Sequence, residues 1–372
     1  MYSQTDLDEA VASGALSANA ATGLRNFVEQ QRALPAVDEE HFRLITGFND
    51  IFVSIAAAIL LFAVGWIGQS IGQVMGLIID SDGPSPFAPA AVAATAWGLA
   101  LFFTAKRRMA LPSILLLLAF VGGVFAAAGF LLVMAIGEQQ LDNNQMLGGI
   151  LGAAAAAVAA AAAFAHWKRF HVPITVAAGG AAVAAIAVGL LVSVIGPVED
   201  MRSVILGFVL LLGIGMFLFA MRWDSSDPAR VTRRSDVAFW LHLLAAPMIV
   251  HPVFTLLGLN DGNATIPEGL IVVALYIALG ITALAIDRRA LLVSALAYVL
   301  FALQALFREF GAVELNVALT AFVIGSSLLL LSAFWHQARV MVVRPLPDYL
   351  RAKLPNLNRP ILEKGVSPAP AA

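Results

Sequence analysis

Cysteine is absent from the 372 residues, which excludes disulfides, thiolate metal sites and cysteine nucleophiles together. Charge is scarce too. Only 12% of the residues are Asp, Glu, Lys or Arg, against about 25% in soluble domains, while 60% are hydrophobic. With 22 basic and 24 acidic residues the formal net charge is −2, so no nucleic-acid partner is expected. No GxSxG elbow or HExxH helix occurs, and the short His166/His171 pair around Lys168 and Arg169 reads as a solvated basic loop. We therefore expect no enzymatic activity, no catalytic residues, no metal and no cofactor. The first 45 residues lack the basic start and short apolar core of a signal peptide, so the first apolar run is read as a true span.

What the sequence has instead is long apolar runs, with a mean hydropathy of +0.87. Crossing a hydrocarbon core of about 30 Å takes about 20 apolar residues. On that rule spans fall near 51–79, 87–105, 109–136, 147–165, 172–196, 203–221, 237–258, 269–286, 290–307 and 312–335. The fold class is thus all-α, a polytopic integral membrane protein with about ten transmembrane helices whose principal partner is the lipid bilayer. Residues 1–46 read as a cytoplasmic helical hairpin with an acidic lead-in, 47–335 as the bundle, and 336–372 as a basic, proline-rich, largely extended cytoplasmic tail. Asn49 and Asp50 are placed to cap the first span. Gly68, Gly72 and Gly76 form a face that another helix can approach closely, and the run Ala153–Ala163 is a second such surface.

The basic residues orient the bundle. Twenty of the 22 lie in the N-terminal arm, the even-numbered loops and the tail, and only Arg202 and Arg308 lie on the other side. By the positive-inside rule both termini are cytoplasmic. Trp167, Trp223, Trp240 and Trp335 fall at the same side, as an interfacial belt requires.

Ahead of the bundle, Gly14 ends a first short helix and Ser17 caps a second. The segment GALSANAATGLRNFVEQQ followed by many spans resembles a bacterial group of predicted membrane proteins of unknown function, whose members begin with a Gly, hydrophobic, Ser helix-turn-helix. The resemblance implies the fold type and a bacterial cytoplasmic (inner) membrane, and no activity. A pair of helices this small buries too little surface to be stable alone, so residues 1–35 are expected to dock on the bundle or on a cytoplasmic protein partner.

No acidic or basic residue falls deep within any of the ten runs, which disfavours ion coupling through a buried carboxylate. The seventh run, DVAFWLHLLAAPMIVHPVFTLLG, stands out by its two histidines and two prolines. His242 lies about 7 Å inside the cytoplasmic edge and His251 beyond the midpoint, at a rise of about 1.5 Å per residue. Nine positions at about 100° each set them on opposite faces, too far apart to share a metal. Pro247 and Pro252 free the carbonyls of Leu243 and Met248 and predict a kink, a common device for lining a cavity. The candidate ligand-pocket residues are therefore His242, His251, Pro247, Pro252 and, from the ninth run, Gln304. The expected function is binding or passage of a small neutral or lipid-like molecule along the seventh helix. The alternative is a non-transporting membrane scaffold or sensor acting through the N-terminal hairpin and the C-terminal tail.

Overall fold

A computed structural model describes residues 11–24, 48–80, 83–228, 230, 232–258, 266–289, 291, 292, 296 and 316–357. Two compact units emerge, one of residues 1–42 with 357–372 and one of residues 43–356. In the first, Gly14 takes the left-handed conformation at φ +74° that a side chain resists, and the Ser17 hydroxyl accepts the Ala20 N–H at 3.2 Å. These are the turn and the cap that the residue types require.

In the second unit every regular element among the described residues is an α-helix. The principal helices are α1 (Phe48–Val74), α2 (Phe87–Phe103), α3 (Ala110–Ile136), α4 (Gln145–Phe170), α5 (Ile174–Ile195), α6 (Met201–Ser225), α7 (Arg233–Leu256), α8 (Ile266–Ile286), α9 (Asn316–Ala333) and α10 (Trp335–Val343). Helices α1 and α3 to α7 are long and apolar enough to cross a membrane. Helix α2, with 17 residues, is shorter, as is the stretch Ala274–Ile286 within α8, and α9 meets α10 at a bend of 76°. The first eight apolar runs thus coincide with α1 to α8 and the tenth with α9. Most of the ninth run, with Gln304, lies outside the described residues.

Consecutive helices pack side by side: α1 on α2, α2 on α3, α3 on α4, α4 on α5, α6 on α7, with α7 also against α5. Their apolar clusters form a relay rather than one core. Leu61, Ala96 and Leu116 join α1 to α3; Leu117, Ala159 and Ile174 join α3 to α5; Ala177, Ala220 and Leu241 join α5 to α7; Val250, Phe254 and Ile324 join α7 to α9.

Small residues set the closest approaches, because between lipid-solvated helices packing contact is the main attraction. A Cβ built on Gly68 would stand 2.6 Å from the Phe87 carbonyl oxygen, and one on Gly72 only 1.9 Å from the Ser85 hydroxyl. Gln69 completes this corner, donating to the Gly83 carbonyl at 3.0 Å and accepting the Ser85 N–H at 2.8 Å. The alanine run of α4 buries Ala153, Ala155, Ala156, Ala159 and Ala163, and Gly149 and Gly189 let α4 and α5 touch backbone to backbone.

Asn49 and Asp50 sit at the start of the described part of α1, and Asp50 is buried. One local expectation is corrected: over residues 334–357 the chain after α9 is not extended. It turns into α10 and a short helix Asp348–Arg351, with Trp335, Arg339, Val343 and Leu354 buried. Arg339 donates to the Pro355 and Asn356 carbonyls at 2.6 and 3.2 Å, and the Asn356 N–H reaches the Pro228 carbonyl at 3.3 Å, which ties the tail to the α6–α7 loop.

Candidate functional site

Helix α7 starts where the sequence provides for it. Thr232 caps it, accepting the Arg234 N–H at 3.2 Å, and Asp227 in turn accepts the Thr232 N–H at 2.8 Å and its hydroxyl at 2.7 Å. Three turns on, His242 is wholly buried, with Nε2 3.0 Å from Oδ2 of Asp224 and its ring edge-on to Phe217 at 5.2 Å between centroids. Asp224 belongs to the last turn of α6, which runs four residues beyond the sixth apolar run and carries the carboxylate into the bundle. Arg288, just past α8, grips the same carboxylate twice, from Nη2 to Oδ1 at 2.5 Å and from Nε to Oδ2 at 3.3 Å, and also donates to the Ser235 carbonyl at 2.9 Å. The side chains of Asp224, His242 and Arg288 are 0%, 0% and 4% exposed.

A second layer surrounds this triad. Arg230, at φ +55°, pairs with Asp287 at 2.9 Å and donates to the carbonyls of Ile286 and Asp287 at 2.8 and 3.1 Å, which closes the C-terminal end of α8. Asp287 also accepts the Trp335 indole N–H at 2.8 Å. One polar lattice therefore fastens the ends of α6, α7 and α8 to α10.

Chemically the triad is a clamp. Both carboxylate oxygens of Asp224 are occupied by a fork of N–H groups, the geometry that makes Arg–carboxylate pairs strong and directional. Imidazole Nε2–H donates to the same carboxylate, and Nδ1 has no hydrogen-bond partner among the described residues, which fits a neutral ring. A carboxylate so held is already neutralised by a guanidinium and shared with an imidazole N–H.

The other residues singled out on α7 do not gather around His242. Helix α7 stays continuous through both prolines; Pro252 is buried while Pro247 and His251 are exposed, on the opposite side from His242, as their spacing predicts. The Met248 carbonyl freed by Pro252 faces α6, where a Cβ on Gly213 would stand 2.9 Å from that oxygen, so a close helix contact covers it. His166 is also placed differently from the solvated loop its neighbours suggest. It is fully buried in the last turns of α4, with Nδ1 3.1 Å from the Thr175 hydroxyl and its ring among Trp97, Phe120 and Phe170, while His171 is the left-handed cap of the helix.

A crevice opens behind the second half of α7. It measures about 110 Å³ and is lined by Arg289, Leu292, Leu296, Leu328, Leu331, Ser332 and Trp335. Leu296 and Leu328 also pack on the cluster of Val250 and Phe254, which flank His251 and Pro252 along α7. Within its lining the Arg289 guanidinium lies 4.8 Å from the centre of the Trp335 ring.

Sequence reasoning did not single out Asp224, Arg288 or Asp287, and counted Arg288 only among the basic residues outside the spans. A signal was present: Gly213, Ala220 and Asp224 recur at intervals of seven and four, so the acid extends the small-residue stripe that α6 turns inward. Among the described residues no group of three His, Cys, Asp or Glu side chains is arranged to hold a metal.

Compared with protein-family models, curated proteins and solved structures, the chain matches none. Among the described residues, the class that fold and composition define is an all-helical protein with six helices long and apolar enough to cross a membrane.

Proposed function

We propose that the protein is a ten-span protein of a bacterial inner membrane, with both termini cytoplasmic, that binds a small neutral or lipid-like molecule beside its seventh helix. The observation that supports this reading is the crevice behind α7. Its described lining is four leucines with Arg289, Ser332 and Trp335, and Leu296 and Leu328 pack on the Val250 and Phe254 cluster of α7. Apolar pockets with a few convergent polar groups suit amphiphilic ligands. The closed Asp224–Arg288–His242 clamp supports binding or passage without carboxylate-coupled ion transport, since its charges are already paired.

The test is to fill the crevice. Leu328→Trp, in purified full-length protein, should lower the amount of lipid that co-purifies and is seen by native mass spectrometry. Unchanged lipid content with a folded variant would refute the reading. The alternative role as a scaffold or sensor gains support from the separate unit that the N-terminal residues form. Deleting residues 1–35 tests it: a lost phenotype with lipid binding intact favours the scaffold.

A further inference from the structure

We propose that residues 335–356 form a latch across the end of the bundle where α6, α7 and α8 meet, and that lifting it opens the Asp224–Arg288–His242 clamp to water. Helix α10 buries Trp335, Arg339 and Val343, one residue per turn, so it lies against its neighbours along a single stripe. It packs on α8. The Trp335 indole N–H donates to Asp287 at 2.8 Å, and Arg339 Nε stands 3.9 Å from the same carboxylate, so both side chains are anchored where α8 ends. The two Nη atoms of Arg339 reach the other way, to the Pro355 and Asn356 carbonyls at 2.6 and 3.2 Å, and hold the chain that follows α10 folded back on it.

The fold-back completes a ring. The Asn356 N–H donates to the Pro228 carbonyl at 3.3 Å, one residue past Asp227, whose carboxylate holds Thr232 at the start of α7. From α6 the ring runs through Asp224 to Arg288 just past α8, from the adjacent Asp287 to Arg339, and from the tail back to the loop after α6. The three helix ends are thus joined twice, by the clamp within and by the latch outside. A buried ion pair adds little net stability, because desolvation offsets the attraction, so the clamp needs other contacts to keep its surroundings packed and dry. The latch supplies them. Pro345, Pro347 and Pro355 narrow the choices of this segment when it is free, which lowers the entropy lost on docking. Of residues 344–356 Leu354 and Pro355 alone are buried, and local opening begins where few apolar groups are buried.

The chain has no cysteine, so one introduced thiol reports alone. Ser235 is 8% exposed and its carbonyl accepts Arg288, which makes Ser235→Cys a reporter at the clamp. The experiment labels it in full-length protein in detergent with a water-soluble maleimide and follows the rate by intact mass spectrometry. Arg339→Gln and, separately, Leu354→Ser should each speed labelling about tenfold, the scale of one hydrogen bond to a charged group or of one buried leucine. Labelling of Ala96→Cys, buried in the cluster that joins α1 to α3, should keep its rate in both backgrounds. Leu354→Ser leaves no charge unpaired and decides the question if Arg339→Gln does not fold. Ser235→Cys labelled equally fast with and without Leu354→Ser, or Ala96→Cys accelerated as much as Ser235→Cys, overturns the latch.

Discussion

Replacing Asp224 by leucine removes the one carboxylate shared by Arg288 and His242. The side chain of Arg288 is 4% exposed, so the guanidinium cannot turn to water, and its remaining acceptor is the Ser235 carbonyl. Breaking a buried pair from one side costs about 3–5 kcal/mol, because the surviving charge stays desolvated. His242 adds a lost hydrogen bond of about 1–3 kcal/mol, since its Nε2 donor would then be unsatisfied. Asp224→Leu should therefore destabilise by about 4 kcal/mol or more, close to the whole stability of many domains. The double variant Asp224→Leu/Arg288→Met replaces both charges with apolar groups, and such exchanges are often neutral or stabilising. It should recover most of the loss. The assay is reversible denaturant unfolding in detergent micelles for the wild type, each single variant and the double variant, followed by tryptophan fluorescence. A loss below about 1 kcal/mol for Asp224→Leu, or a double variant no better than Asp224→Leu, would refute the clamp, because a desolvated guanidinium cannot be that inexpensive.

Reporter fusions at Gly83, Asn143 and Asn263 should report the periplasm, and at Arg107 and Arg233 the cytoplasm; two contrary results reject the topology. Gly149→Ala puts a methyl group 2.6 Å from the Gly189 carbonyl oxygen and should cost about 1–3 kcal/mol in the same unfolding assay, whereas Gly148→Ala meets nothing within 4 Å and should not destabilise. Thr175→Val removes the hydroxyl beside His166 Nδ1 and should cost about 1–3 kcal/mol, with His166→Phe in the same chain recovering part of it. An unaltered midpoint for Thr175→Val would show that the hydroxyl does not hold the imidazole.

The sequence by itself determined the elements. The first eight apolar runs and the tenth became helices α1 to α9 at their expected places, Ser17 became a cap, and Gly68, Gly72 and the alanines of α4 became contact faces, whereas Gly76 lies past the end of α1 at φ +67° with no neighbour within 4 Å. These are local or periodic properties, and in a lipid-like composition a long apolar run has little choice but a helix, since its backbone must bond to itself. Only the tertiary structure decided which charges are solvated. Arg230, Arg288 and Arg339 look like any other loop or tail cations in the basic-residue count, yet Arg288 is buried against Asp224, Arg339 against carbonyls of the tail, and the side chain of half-buried Arg230 is covered where it meets Asp287. Asp224 and Arg288 are 64 positions apart, and nothing in their own neighbourhoods fixes that they meet. That meeting depends on how α6, α7 and α8 end relative to one another. For the same reason α7's two histidines, alike in sequence, have different places: His242 is buried and hydrogen-bonded to the Asp224 carboxylate, and His251 lies on the outer surface of the helix. Burial of a charge is a property of the packed bundle, and its free energy comes from the partner that packing supplies.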